Sequence, residues 1–194
     1  MKQILNLILV SVCVLFFYEQ HLFAQDGSPR PPSGKGPRAG AYLDFSGYYS
    51  ISEATSEPSN TYQSVTDESI YDAKLGYIFA NGVYTGAMYS SRTTGYINGS
   101  STGNGAGVGG GYYFLNGFAL RGFYRFNEVY VDYRNGTGYQ FEASYSQIFA
   151  TNFFVGFAVS YRQTVYTKRD SDPLLTNYSY KSSYPLLTVG FLVK

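Results

Sequence analysis

The sequence predicts an all-β fold, an eight-stranded antiparallel up-and-down β-barrel. Three observations predict it. Apolar and polar residues alternate from Ala41 onward, an Asn-Gly turn recurs at a nearly fixed interval, and the segments between the turns have room for an even number of strands. A two-residue period is that of a β-strand with one apolar and one polar face.

Residues 1–24 are predicted to be a secretory signal peptide. Lys2 gives a positive start, residues 4–17 are almost entirely apolar, and a more polar exit ends at the small residue Ala24. That is the layout of a signal peptide. The alternative is an anchoring transmembrane helix, but the apolar run falls short of the roughly 20 residues that span a bilayer.

The chain has one cysteine, Cys13, and one histidine, His21, and both lie in this first segment. A chain cleaved after Ala24 therefore has no Ser-His or Cys-His pair for nucleophilic chemistry. It also lacks the usual zinc ligands and cannot form a disulfide. With a net charge of +1 and no basic stripe, nucleic-acid binding is not indicated either. We expect a non-enzymatic protein without a cofactor or metal.

Residues 25–40 are predicted to form a flexible linker. The stretch from Asp26 to Gly40 contains four prolines and four glycines and offers little to bury. A proline-rich motif that binds a partner is the alternative. The remaining residues, 41–194, are assigned to the barrel.

The first strand sets the pattern for the others. Apolar and small residues from Ala41 to Ile51 occupy every second position, and mostly polar residues occupy the positions between them. Tight turns follow at Asn81-Gly82, at Asn116-Gly117 and, more loosely, at Asn152. They are 35 and 36 residues apart. Because Asn-Gly between apolar runs is a strong hairpin signal, each interval is read as two strands and one longer connection.

Longer polar connections are predicted at 53–66, 94–104, 132–138 and 168–177. Three short turns and four longer connections join eight strands. Most of these strands are longer than the roughly 9–11 residues that a tilted membrane strand needs. The predicted strands are 41–52, 68–80, 83–94, 105–115, 118–131, 139–150, 153–167 and 178–193.

Alternation alone does not decide which face points inward, because a water-soluble barrel such as a lipocalin buries its apolar face. Here the apolar face carries aromatic residues near both strand ends, as expected where a barrel crosses two membrane interfaces. Those near the short turns are Tyr77, Phe79, Tyr112, Phe114, Phe118, Phe149 and Phe153. Those near the longer connections are Tyr49, Tyr89, Tyr130, Tyr139, Tyr161 and Tyr178.

The opposite face carries charges in the middle of the strands. Facing lipid, each would cost about 2–4 kcal/mol at mid-bilayer depth. Inside an eight-stranded barrel, which side chains just fill, they would pair into a network. The alternative is that they are solvated on the outside of a soluble barrel. The predicted lumen residues are Asp44, Lys74, Arg92, Arg121, Arg125, Glu142 and Arg162, together with Lys181.

This pattern resembles the small eight-stranded outer-membrane barrels of the outer-membrane protein A, X and W type, over about residues 41–193. Near the chain end, Thr188, Gly190 and Val193 also resemble the C-terminal signal of such barrels, with Phe191 as its aromatic residue. The resemblance implies a Gram-negative outer-membrane location. The implied partners are outer-membrane lipid, lipopolysaccharide and the outer-membrane assembly machinery.

We therefore expect a structural or surface-interaction protein that acts through its extracellular loops and has a plugged polar lumen. The alternative is a narrow channel or small-molecule carrier. The glycines at positions 105, 107, 109 and 111 favour that alternative, because they share one face of the fourth strand and could leave space inside. A lipid-modifying enzyme is a third hypothesis, which the missing histidine disfavours.

Overall fold

A computed structural model describes residues 39–55, 63–96, 99–114, 116–149, 152–171 and 178–193. The predicted signal peptide and residues 25–38 of the predicted linker lie outside the described residues. The strands are β1 (Gly40–Thr55), β2 (Gln63–Ile78), β3 (Val83–Tyr96), β4 (Gly99–Tyr113), β5 (Phe118–Tyr130), β6 (Tyr133–Phe149), β7 (Phe153–Tyr166), β8 (Lys168–Arg169) and β9 (Tyr178–Val193).

Eight long strands form one closed antiparallel sheet. The neighbours follow the order β5-β4-β3-β2-β1-β9-β7-β6, and pairing of β5 with β6 closes the ring. The short strand β8 extends the sheet by pairing with the beginning of β6, with Arg169 opposite Tyr133. The predicted fold class, an eight-stranded up-and-down barrel, is confirmed.

The tight turns at one end, called here the short-turn end, differ in detail from the prediction. In the turns at Asn81 and Asn116, Gly82 and Gly117 have positive φ, of 86° and 89°, and the asparagines before them do not. Residues 150–151 of the third predicted turn lie outside the described residues. The asparagine side chains instead accept hydrogen bonds, from the backbone N of Val83 to Asn81 Oδ1 and from that of Phe118 to Asn116 Oδ1. Since Gly82 N also donates to Phe79 O, the turn has three residues and ends on a left-handed glycine.

At the other end, called here the hairpin end, the strands are longer than predicted. The predicted connection 94–104 is mostly strand, because β3 and β4 stay paired up to Tyr96 and Gly99. The predicted connection 132–138 is likewise mostly strand, since Tyr133 begins β6 directly after the turn at Val131 and Asp132. These segments are polar and rich in Gly, Ser and Thr. The sequence predicts loops there because these segments have no apolar face. In the structure each segment instead belongs to its own hairpin, β3 with β4 and β5 with β6.

Large apolar side chains are exposed all around the barrel, and each of the eight long strands contributes to this outward belt. Leu187 is 67% exposed and Phe141 is 59% exposed, both near the middle of their strands. Such continuous apolar exposure exceeds what soluble monomers usually show. Members of the belt are Phe45, Tyr49, Tyr71, Leu75, Tyr77, Tyr89, Val108, Tyr112, Phe118, Leu120, Tyr124, Tyr139, Phe141, Phe157, Val159, Leu187, Val189 and Phe191.

Candidate functional site

The lumen near the short-turn end is filled by rings and aliphatic side chains. Tyr42 lies at the centre, stacked on Phe154 at 5.0 Å between ring centroids and edge-on to Tyr84 at 5.7 Å. Edge-on and stacked contacts of this kind pack the rings closely across the lumen. The buried cluster is Tyr42, Ile78, Tyr84, Met88, Tyr113, Ala119, Phe123, Phe154 and Leu192.

Beside this cluster lies a lower ionic layer of two cations and two anions: Asp44, Lys74, Arg121 and Glu142. Arg121 reaches across the lumen and donates from Nη1 to Asp44 Oδ2 at 2.8 Å, and it also pairs with Glu142. Lys74 Nζ lies 3.3 Å from Glu142 Oε2. All four side chains are fully buried. The layer is neutral in sum, which is the arrangement that buried charges require.

Hydroxyl groups extend the hydrogen bonding of this layer. Lys74 Nζ donates to Ser46 Oγ at 2.8 Å, and Ser46 Oγ donates to Asp44 Oδ1 at 2.7 Å. Arg121 Nη1 donates to Tyr113 OH at 2.9 Å. Ser46 also contacts Thr188, with 3.2 Å between the two oxygens. Residues of β1, β2, β4, β5, β6 and β9 thus meet in one network.

A second neutral group, the upper ionic layer, consists of Asp72, Arg125, Glu128 and Arg162 around Gln140. Gln140 Oε1 accepts from Arg125 Nη1 at 2.6 Å and from Arg162 Nη2 at 3.1 Å. Gln140 Nε2 donates to Asp72 Oδ2 at 2.9 Å. Arg125 pairs with Glu128, and Arg162 pairs with Asp72. A single amide therefore links two arginines to a carboxylate.

At the mouth of the lumen, on the hairpin end, Arg92 contacts two tyrosine rings. Its guanidinium carbon lies 4.7 Å from the ring centre of Tyr130 and 4.4 Å from that of Tyr180. Arg92 Nη2 also pairs with Glu68 Oε1 at 2.6 Å. Cation–π contact with two rings together with an ion pair fixes the guanidinium in place.

Between the mouth and the upper ionic layer lies a small recess of about 10 Å³, roughly the room that one water molecule needs. Its walls combine the aromatic mouth with the polar layer below. Residues lining it include Arg92, Asn104, Glu128, Tyr130, Arg162 and Thr164.

The glycines of β4 lie under the long side chains of β5. A Cβ added at Gly105 would meet Glu128, and one at Gly107 would meet Met88 and Arg125. One added at Gly109 would lie 2.0 Å from the backbone O of Gly122, and one at Gly111 would lie 2.2 Å from that of Leu120. The space that these glycines leave is therefore occupied by the side chains and backbone of β5 and by Met88 of β3.

We expect Gly109→Ala to destabilise the barrel, because the added methyl group collides with the backbone of β5 and with Phe123. Overpacking of this kind typically costs about 1–3 kcal/mol. Urea unfolding in lipid vesicles measures the effect. Gly122→Ala is the matched control, since its Cβ meets only Phe141, at an ordinary 3.5 Å. Equal stability of the two variants would contradict the close approach of β5 to the glycines of β4.

The hairpin end also carries an exposed ionic cluster between the β5–β6 turn and the segment after β7. Arg169 Nε donates to Asp132 Oδ2 at 2.9 Å, and Arg134 Nε donates to Asp170 Oδ2 at 2.8 Å. Ser171 also donates to Asp132. The hydrogen bonds from Ser171 and Arg169 hold the pKa of the Asp132 carboxyl below its usual value. The cluster fixes the two segments to each other.

The structure brings the predicted lumen residues together in two groups rather than one. Asp44, Lys74, Arg121 and Glu142 meet in the lower layer, whereas Arg125 and Arg162 meet in the upper layer. Arg92 lies apart, at the mouth. The placement of Lys181 was wrong. It is exposed and lies on the outward face of β9, because the inward positions of that strand are the even-numbered ones.

Sequence reasoning missed Asp72, Glu128 and Gln140. Asp72 could have been found, because it precedes the inward Lys74 by two positions. Glu128 could not be found by strict alternation. A β-bulge at Asn127, where φ is 53°, shifts the register and turns Glu128 inward.

The same bulge turns Tyr130 toward the mouth of the lumen, so its predicted place in an outward aromatic band was wrong. Within the predicted assembly signal, Thr188 and Gly190 point inward and are buried, whereas Phe191 and Val193 are exposed on the outward face. The Phe149 side chain lies outside the described part of the chain.

Comparison of the chain with known protein families, with curated proteins and with solved structures found no match. Among the residues that the structure describes, no group of three or more His, Cys, Asp or Glu side chains is placed to hold a metal ion. Within the same residues, no helix has the length and hydropathy of a membrane span. The functional interpretation therefore depends on the barrel itself.

Proposed function

We propose that the protein is an integral outer-membrane β-barrel of a Gram-negative bacterium with a non-enzymatic structural or surface-interaction role. A single observation carries this proposal. The exposed outward belt is apolar on all eight long strands, whereas the charged side chains of the strand interiors pair inside. In water this arrangement would expose the apolar surface and bury the charges, which is unfavourable on both counts. In a bilayer the apolar belt contacts hydrocarbon, and enclosing the charges in the lumen keeps them out of it.

The proposed activity resides at the hairpin end, where paired strands and the ionic cluster present a fixed polar surface. Rigid scaffolds commonly carry binding residues on such projecting segments. The proposed partners of the barrel wall are outer-membrane lipid and lipopolysaccharide. The outer-membrane assembly machinery would read the segment that contains Thr188, Gly190, Phe191 and Val193.

Fractionation and gel mobility test the proposal. We expect the protein to sediment with outer membranes and to require detergent for extraction. The unboiled folded protein should migrate differently from the boiled protein, because a closed barrel stays compact in detergent until it is heated. A chain that is monomeric in aqueous buffer without detergent would contradict the membrane proposal.

A narrow channel or small-molecule carrier is the second candidate, and the recess below Arg92 is the observation that favours it. The two ionic layers and the aromatic cluster beneath the recess support a closed lumen instead. Planar-bilayer recordings distinguish the two. Steady single-channel currents that change in Arg121→Ala or Glu142→Ala would favour the channel, and their absence would favour the closed scaffold.

A further inference from the structure

The seam between β1 and β9 is closed by a ladder over only part of its height. These strands pair only from Ala41 opposite Val193 to Gly47 opposite Leu187, and within the described residues no further ladder pair joins them. Yet β1 continues to Thr55, paired with β2, and β9 begins at Tyr178, paired with β7. Each strand therefore has an unpaired edge toward the hairpin end. The β1 free edge is residues 50–55 and the β9 free edge is residues 178–184, both on the hairpin-end side of Pro185.

Proline explains where the ladder stops. Continuing the register past Leu187 would place Pro185 opposite Tyr49, and proline has no backbone N–H to donate. Inside the barrel, the rings of Tyr48 and Tyr184 stack at 5.9 Å and pack on the apolar cluster of Ile70, Ala158 and Leu186. Rings thus close the lumen behind the seam, while the backbone edges in the wall stay available.

We propose that the two free edges join two copies of this chain, seam to seam, with the β1 free edge of each copy paired to the β9 free edge of the other. Unpaired edges are templates for pairing with another chain. Here both halves of an antiparallel pair lie on the same chain, at the same height. This inference rests on the proposed membrane setting, which keeps both copies upright. A two-fold axis along the membrane normal then preserves the antiparallel direction of the pair.

Charge favours the same register. Lys181 is exposed on the outward face and forms no ion pair with any side chain that the structure describes. Extending the β1–β9 register places position 53, a glutamate, opposite position 181. A directly opposed Glu-Lys pair stabilises an antiparallel strand pair. The free edges also begin at the level of the exposed Tyr49, so water can hydrate them in a monomer and the association can be reversible.

Cysteine cross-linking tests the dimer in outer membranes of cells that express the full chain. One chain carries Glu53→Cys, and a second, with an affinity tag in the 25–40 segment, carries Lys181→Cys. Both carry Cys13→Val, so no other thiol is present. Co-expression and oxidation should give a disulfide-linked heterodimer, because opposed positions on paired strands lie within disulfide reach. Only a contact between copies can produce it.

The control pair is Leu43→Cys with Phe191→Cys, at ladder positions that face each other within one barrel. Placed in one chain, this pair should form an internal disulfide and stay monomeric. Placed on separate co-expressed chains, it measures random collisions, and the seam pair should exceed it severalfold. An internal disulfide in a Glu53→Cys/Lys181→Cys double variant, or no link above the collision control, would overturn the dimer.

Charge exchange gives a second readout. The Lys181→Glu variant should lower the dimer fraction measured by light scattering in detergent, and Glu53→Lys combined with Lys181→Glu should restore it. A dimer fraction that is unchanged in both variants would contradict pairing in this register. Absence of the chain from outer membranes would instead contradict the proposed function, so the two failures are distinguishable.

Discussion

Replacing Arg121 with methionine should strongly destabilise the barrel. Arg121 is fully buried and pairs with both Asp44 and Glu142. Without it, Lys74 faces two buried carboxylates alone, and the layer keeps a net negative charge. Removing one partner of a buried ion pair typically costs about 3–5 kcal/mol. Urea unfolding of the folded barrel in lipid vesicles measures this change.

Two companion variants separate charge balance from lost packing. Arg134→Met breaks an exposed pair with Asp170, and such surface pairs are worth about 0–1 kcal/mol. Arg121→Met combined with Glu142→Gln leaves Lys74 with Asp44 only, so we expect the double variant to recover part of the loss. If Arg121→Met proved no more costly than Arg134→Met, the lower ionic layer would not be the buried network described above.

An arginine in place of Val159 should destabilise the barrel in a bilayer. Val159 is 57% exposed and lies between Ala143 and Pro185 in the middle of the wall. A lipid-facing arginine near the bilayer midplane costs about 2–4 kcal/mol. On the surface of a water-soluble barrel the same change would be nearly neutral. The measurement is again unfolding in vesicles.

Thr102→Arg is the matched control for Val159→Arg. Thr102 is also exposed, but it lies near the hairpin end of β4, among polar neighbours. We expect this variant to unfold like the unmodified protein, because its guanidinium reaches water or lipid headgroups. Equal stability of the two arginine variants would remove the support that the outward belt gives to the membrane proposal.

Much of the barrel could be predicted from the sequence because side-chain alternation and turn chemistry are local properties. The inward position of Lys74 and the outward position of Phe141 both follow from counting by two. The position of Glu128 does not, because one residue in a positive-φ conformation at Asn127 reverses the count for the rest of β5. Asparagine adopts such conformations more readily than most residues, but its presence alone does not locate a bulge.

Contacts between distant strands lie beyond local patterns. The division of the lumen charges into two layers depends on the register of all eight strands, and so does the reach of Arg121 from β5 to Asp44 on β1. Gln140 links Arg125, Arg162 and Asp72. Because it carries no charge, the pattern of charged residues does not reveal it. The seam is similar. Pro185 marks a weak point in a strand, but only the observed pairing of β1 with β9 reveals two free edges.

The central claim is that the outward belt faces hydrocarbon while the lumen does not, and an introduced tryptophan measures this directly. The chain contains no tryptophan, so Leu120→Trp on the belt and Phe123→Trp in the lumen each report on one position. In vesicles of lipids brominated near the middle of the acyl chain, we predict strong quenching at position 120 and little at position 123. Quenching at position 120 by aqueous iodide, with no effect of the brominated lipid, would contradict the account.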